Sequence, residues 1–148
     1  MAALTALFIL GCTLLQKPEQ PVREVVFSKG APKPIGPYSQ AVRVGNTLYC
    51  SGQIAIDPAT GEQVRGNIEE ETRMVLRNLK EVLKAAGMDS SHVVKATIFL
   101  ANMDDYQLVN QIYAEFFSTS KPARETVQVA RLPRDAGVEI SCIAVKVD

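Results

Sequence analysis

Two residues near the C-terminal end of the chain are of types that do chemistry: Arg124 in KPARETVQV and Glu139 in GVEISCIAV. Strand alternation puts Arg124, Thr126 and Gln128 on one face and Glu125, Val127 and Val129 on the other. Glu125 is therefore predicted to point away from Arg124 and not to neutralise it. A guanidinium left free in this way matches a carboxylate with two parallel N–H donors. On pattern alone, a solvated or structural arginine still outweighs a ligand anchor. Nearly every neighbour of Glu139 is apolar, so desolvation should raise its pKa toward the range useful for proton transfer. A strand-end glutamate that reaches water is the equal alternative.

Tyr38 lies in GAPKPIGPYSQ, where a rigid Gly/Pro loop could hold its phenol over a pocket. Ser51 and Gly52 follow an apolar strand, and a glycine there would let a ligand approach the main chain closely. Turn chemistry explains both features without a ligand. Asn110 and Tyr113 fall on one helix, and Tyr113 reads as core. His92 has no partner at ligand spacing, and Cys50 and Cys142 lack a nearby His and read as core thiols. A single His and no Trp largely exclude metal clusters and His-based triads. No phosphate-loop or dinucleotide fingerprint occurs, so no cofactor is indicated.

The elements that must position these residues are legible in the pattern. AVRVGNTLYCSG alternates around Gly45-Asn46, a two-residue hairpin signal. Asn67 caps a helix with Glu70 in the capping-box position, and Gly87 is its stop. The inward stripe of that helix is Ile68, Thr72, Val75, Leu76, Leu79, Val82, Leu83 and Ala86. HVVKATIFLAN reads as a strand. Asp104 and Asp105 open a second helix with Tyr106, Val109, Ile112, Tyr113 and Phe116 on one face. Two strands follow, over 124–132 and 138–147, connected through PRDAG.

This order predicts an α+β domain with two helices packed on one face of a sheet. In the last strand Val138, Ile140, Cys142 and Ala144 alternate with Ile143, Val145 and Val147, so both faces are apolar. Two helices cover one face only. The economical cover for the other is a second copy of the chain.

The 148 residues suffice for one domain with a substantial core. Acids and bases balance at 16 each, which argues against binding nucleic acid through bulk charge. Residues 1–24 read as an N-terminal extension and 25–148 as the domain. The apolar run from Ala2 to Leu10 is too short to span a bilayer but suits a signal-peptide core, and ILGC resembles a lipobox in which Cys12 is lipidated. No Lys or Arg precedes the run, which leaves an extension on a cytoplasmic protein as the other reading. The first reading implies export and a lipid anchor.

Taken together, APKPIGPYSQAV, LYCSGQI, NLKEVLKAAG, VVKATIFLANMDDYQLVNQIYAEFF and PARETVQVARLPRDAGVEISCIAV resemble the reactive-intermediate deaminase A family, also called YjgF-type or endoribonuclease L-PSP proteins. The resemblance covers about residues 25–147. It implies a chorismate-mutase-like α+β fold, a homotrimer with sites in clefts between subunits, and hydrolysis of 2-imino acids to 2-oxo acids and ammonia without a cofactor. By the same resemblance Arg124 holds the substrate carboxylate with help from the main chain at Thr126. Glu139 positions or activates water and manages protons at the imine, and Tyr38, Ser51, Gly52 and Asn110 orient substrate and water. Two departures from the family pattern are Glu125, where a small residue is common, and the lipobox-like start. Endoribonuclease activity and non-enzymatic ligand binding are the competing functions. Zero net charge and the lack of a basic-aromatic stripe weigh against RNA.

Overall fold

The computed structural model describes residues 20–147. The apolar run and Cys12 lie outside the described residues. The first strand, β1 (Arg23–Val26), straddles the boundary read at residue 24 and was not anticipated as a strand. β2 (Ala41–Val44) and β3 (Thr47–Gln53) form the expected hairpin about Gly45-Asn46, with Val44 opposite Thr47.

The first helix, α1 (Ile68–Ala85), begins at Asn67, whose side chain accepts the Glu70 N–H at 2.8 Å. It ends where Gly87 takes φ 68°, a left-handed conformation in which a side chain would be strained. There the Gly87 N–H donates to the Lys84 carbonyl and the Met88 N–H to the Leu83 carbonyl. Thr72, Val75, Leu76, Leu79, Val82 and Leu83 are buried as the helical period requires. Each large apolar side chain so buried contributes about 1.5–3 kcal/mol.

β4 (Val93–Leu100) leads through a short turn, Met103–Asp105, into α2 (Tyr106–Phe116). Val109, Ile112 and Tyr113 of α2 are buried, whereas Tyr106 is exposed. Tyr106 fits the apolar periodicity, but it stands at the first residue of α2, beside the edge of the sheet. β5 (Ala123–Gln128) is shorter than the stretch read from sequence, because the chain leaves the sheet before a turn at Pro133–Asp135. Arg134 and Asp135 both have positive φ in that turn, which a strand cannot continue through. β6 (Val138–Val145) ends the sheet.

The six strands lie in the order β1-β2-β3-β6-β4-β5, and only the β4–β5 pair is parallel. The fold is the anticipated α+β arrangement. α1 packs on β3 and β6, and α1 and α2 pack on each other. Val138, Ile140, Cys142 and Ala144 of β6 face the helices and are buried. The opposite face has no helical cover, and Val25, Val44, Tyr49 and Val127 are exposed on it. Among the described residues no helix is long and apolar enough to cross a membrane.

Candidate functional site

β6 and the end of β3 build one half of the site on the uncovered face. Glu139 sits opposite Phe99 of β4, one step out of phase with the buried residues of its strand. The β3–β6 register shifts between Cys50 and Gln53, which brings Gly52 beneath the Glu139 side chain. A Cβ on Gly52 would lie 2.6 Å from Glu139 Cδ and 2.9 Å from Cγ, so only glycine leaves room for the carboxylate there. The carboxylate looks into a cavity of about 310 Å³ lined by Ile35, Tyr38, Ser51, Gly52, Ile54 and Pro133. Burial against these largely apolar walls raises the Glu139 pKa above the ordinary glutamate value.

Hydrogen bonds orient two hydroxyls at this cavity. Tyr38 Oη accepts the Ile35 N–H at 3.2 Å, which leaves its own proton available to a ligand. Ser51 Oγ donates to the Ser39 carbonyl at 2.7 Å, so the hydroxyl can only accept from a ligand. Ser51 in this state is a fastener and an acceptor, its proton committed to the Ser39 carbonyl.

β5 and α2 build the other half on the helix-covered side. Arg124 Nη1 donates to Asn110 Oδ1 at 2.7 Å, and Nη2 donates to Tyr106 Oη at 3.3 Å. The guanidinium carbon stands 4.8 Å from the centroid of the Tyr113 ring, a cation–π geometry. Burial pushes the Tyr113 phenol up to about 12, against the pull of Arg124, so the ring stays neutral under the cation. Arg124 opens on a second cavity of about 380 Å³ bounded by Asn110, Tyr113, Lys121 and Pro122. Among the described residues no carboxylate pairs with Arg124. Glu125 faces the other way, 3.0 Å from Lys95 Nζ, and its pKa is lowered by that contact. Thr126 shares the Arg124 face, and its buried Oγ1 has no hydrogen-bond partner.

The two halves do not meet within one chain. Glu139 is level with Phe99 and Arg124 with Ala96, on strands separated by β4 and on opposite faces of the sheet. Strand spacing and rise put their Cα atoms roughly 14 Å apart. Tyr38, Ser51 and Gly52 gather with Glu139, while Asn110 and Thr126 gather with Arg124.

Three features of the site escaped the sequence reading. Tyr106 appeared only as a core position. Asn78 is fully buried on α1, and its Nδ2 donates to the Ile56 carbonyl at 2.8 Å and more weakly to the Ile54 carbonyl at 3.4 Å. Its signal was a polar residue three after Val75 and four before Val82, within the apolar stripe. Gln40 is also buried, with no periodic cue to mark it.

Cys50 and Cys142 are buried free thiols opposite each other on the core face, and their mutual hydrogen bond and burial raise the Cys142 pKa. His92 Nδ1 accepts the Asp89 N–H in a cap, the structural role anticipated for it. Among the described residues no group of three or more His, Cys, Asp or Glu is placed to hold a metal ion.

The profile of the family described as Endoribonuclease L-PSP matches residues 28–146. A RutC family protein of Pyrococcus horikoshii is 53% identical over 125 residues, covering 84% of this chain and 99% of that protein. A 2-iminobutanoate/2-iminopropanoate deaminase of Mus musculus is 51% identical over 125 residues, covering 84% of this chain and 93% of that one. Among solved structures, E. coli TdcF with bound serine superposes with a TM-score of 0.80 at 37% identity, covering 84% of this chain and 99% of that one.

Proposed function

Because the chain belongs to the endoribonuclease L-PSP family, which includes the reactive-intermediate deaminases of the YjgF type, we propose that it hydrolyses small 2-imino acids to 2-oxo acids and ammonia. The observation that carries this reading is the half-buried Glu139 carboxyl, packed on Gly52 in a largely apolar cavity that raises its pKa. A 2-imino acid needs a carboxylate anchor, a proton for its nitrogen and a water molecule at its carbon. Arg124, unpaired with any acid among the described residues and aimed by Asn110, suits the anchor. Glu139 in its protonated form donates to the imine nitrogen. As the carboxylate it then takes a proton from the attacking water to give the carbinolamine, passes that proton to the amine nitrogen and takes the hydroxyl proton as the C–N bond breaks, so that C=O forms, ammonia leaves and the carboxyl is restored. Tyr38 Oη can donate and Ser51 Oγ can accept, which suits them to orient the water and the imine nitrogen beside Glu139. The relative's name and the bound serine of TdcF support a small substrate of the amino-acid type.

On this reading, the separation of Arg124 from Glu139 supports a site that draws on two copies of the chain. The uncovered apolar face supplies a reason for copies to associate. We take the assembly to be the homotrimer implied by the family resemblance, with Arg124 of one copy facing Glu139 of the next. The test is a coupled assay in which threonine dehydratase or an amino-acid oxidase makes the imine in situ and oxo-acid release is followed. Acceleration by the wild-type protein that is lost on Arg124→Ala and on Glu139→Gln is the expected result. Unchanged rates in both variants would remove these residues from the site.

A further inference from the structure

The Glu139 cavity has one wall built without regular structure. Ile35 and Tyr38 come from a loop, residues 28–38, that carries Pro32, Pro34 and Pro37 and therefore lacks three of its backbone donors. A single backbone–backbone bond occurs in this loop outside the sheet, from the Tyr38 N–H to the Gly36 carbonyl at 2.9 Å. Loop backbone with so few bonds of its own must be held from elsewhere.

The side-chain amide of Gln40 does this. Its Oε1 accepts the Ser28 N–H at 2.6 Å, and its Nε2 donates to the carbonyls of Ser28 at 3.1 Å, Ala31 at 3.3 Å and Pro32 at 2.7 Å. Gln40 is 2% exposed, and among the described residues every hydrogen bond tying residues 28–38 to the sheet runs through it. Its own carbonyl accepts the Ser51 N–H at 3.0 Å, and the neighbouring Ser39 carbonyl accepts from Ser51 Oγ. The amide is thus fixed on the strand end that precedes Gly52, the glycine under Glu139. It touches no part of the cavity itself.

We infer that Gln40 is a positioning residue for the site, its buried amide seating the loop that places Ile35 and Tyr38 over the Glu139 carboxyl. The inference rests on the catalytic reading of Glu139 given above, but two of its readouts, amide exchange and the Glu139 titration, are taken without substrate, so the two can fail separately. An amide is suited to the task because it offers a donor and an acceptor at once, and no apolar or singly charged residue of that length does both. Tyr38 is the one other titratable side chain lining the cavity of a single copy, and Arg124 of a second copy is the charge that would face it in the assembly.

The experiment uses the full chain in its native assembly, with Gln40→Met, which keeps the length and removes all four bonds. Three quantities are read: exchange of the Ser28 amide, the carboxyl titration of Glu139 by carbon NMR (assigned with Glu139→Gln), and kcat/KM in the imine assay. The expected result is Ser28 exchange at least about tenfold faster, a Glu139 midpoint moved down as water reaches it, and kcat/KM reduced about tenfold or more. Val109→Ala, a core truncation on α2, lowers the melting temperature but leaves the Glu139 midpoint in place. If Gln40→Met does not assemble, Gln40→Glu, which keeps an acceptor for Ser28 and loses the donors to Ser28, Ala31 and Pro32, carries the Glu139 titration and kcat/KM. A Glu139 midpoint equal to wild type in the variant overturns the inference. So does failure of both variants to fold while Val109→Ala folds, because the amide is then a requirement of folding and not of the site.

Discussion

Arg124 and Glu139 stand on opposite faces of one sheet with β4 between them, so no movement of their side chains brings them to one small substrate within a single chain. The arrangement makes complementation between inactive variants possible. Arg124→Ala and Glu139→Gln chains, unfolded and reassembled together in equal amounts, pair an intact Arg124 with an intact Glu139 at about one interface in four. Activity near one quarter of wild type is expected from the mixture, against almost none from either variant alone. A mixture as inactive as its components would mean that both residues of each site come from the same copy.

Glu139→Gln removes the proton donor and acceptor together, and a loss of about 10²–10⁴ in kcat is expected. Its effect on stability has the opposite sign. Desolvation raises the Glu139 pKa, so the protonated form suits the fold, and the associated stability is full below the unfolded pKa and is lost as pH rises through the folded one. At pH 7 the neutral glutamine therefore melts higher than wild type by roughly 1–3 °C, after allowance for solvent screening. The gap closes toward pH 4. Calorimetry of the two proteins at both pH values decides the matter.

Gly52→Ala tests the packing of carboxylate on main chain. The new Cβ collides with the far end of the Glu139 side chain, which can swing out of the cavity, so the fold survives and the site does not. kcat/KM is expected to fall about 10–100-fold with a melting temperature within a few degrees of wild type. A variant as active as wild type would show that the carboxylate works from some other position.

Arg124→Lys keeps a charge and loses the fork that Asn110 and Tyr106 orient from one side. A rise in KM of about tenfold or more is expected, and Asn110→Ala should reproduce part of it by releasing the guanidinium. A lysine variant with unchanged KM would mean that Arg124 supplies only a point charge.

Asn78→Leu fills the same space in α1 but leaves the Ile56 carbonyl without its donor, while the Ile54 carbonyl keeps the Ile56 N–H. The expected cost is about 1–3 kcal/mol, read as a drop of several degrees in melting temperature.

Local chemistry made much of this protein legible in its sequence. Asn67, Glu70 and Gly87 mark the ends of α1 because capping involves residues three or four apart. The alternation RETVQ set Glu125 and Arg124 on opposite sides, and Lys95 now accounts for Glu125. The same alternation in β6 marked a second apolar face that the two helices do not cover.

Other features depend on which strands become neighbours, and no local period encodes that. Gly52 and Glu139 acquire a common purpose only through the shifted β3–β6 register. Arg124 and Glu139, read together from the family resemblance, are separated by the insertion of β4 between β5 and β6. Gln40 looks like any polar residue before a strand until the proline-rich loop folds back over it. The sequence by itself determined the elements, their exposed and buried faces, and the residue types available for proton transfer and carboxylate binding. The tertiary structure alone decided which of those residues share a cavity, because that follows from strand order, register and long-range hydrogen bonds between segments far apart in the chain.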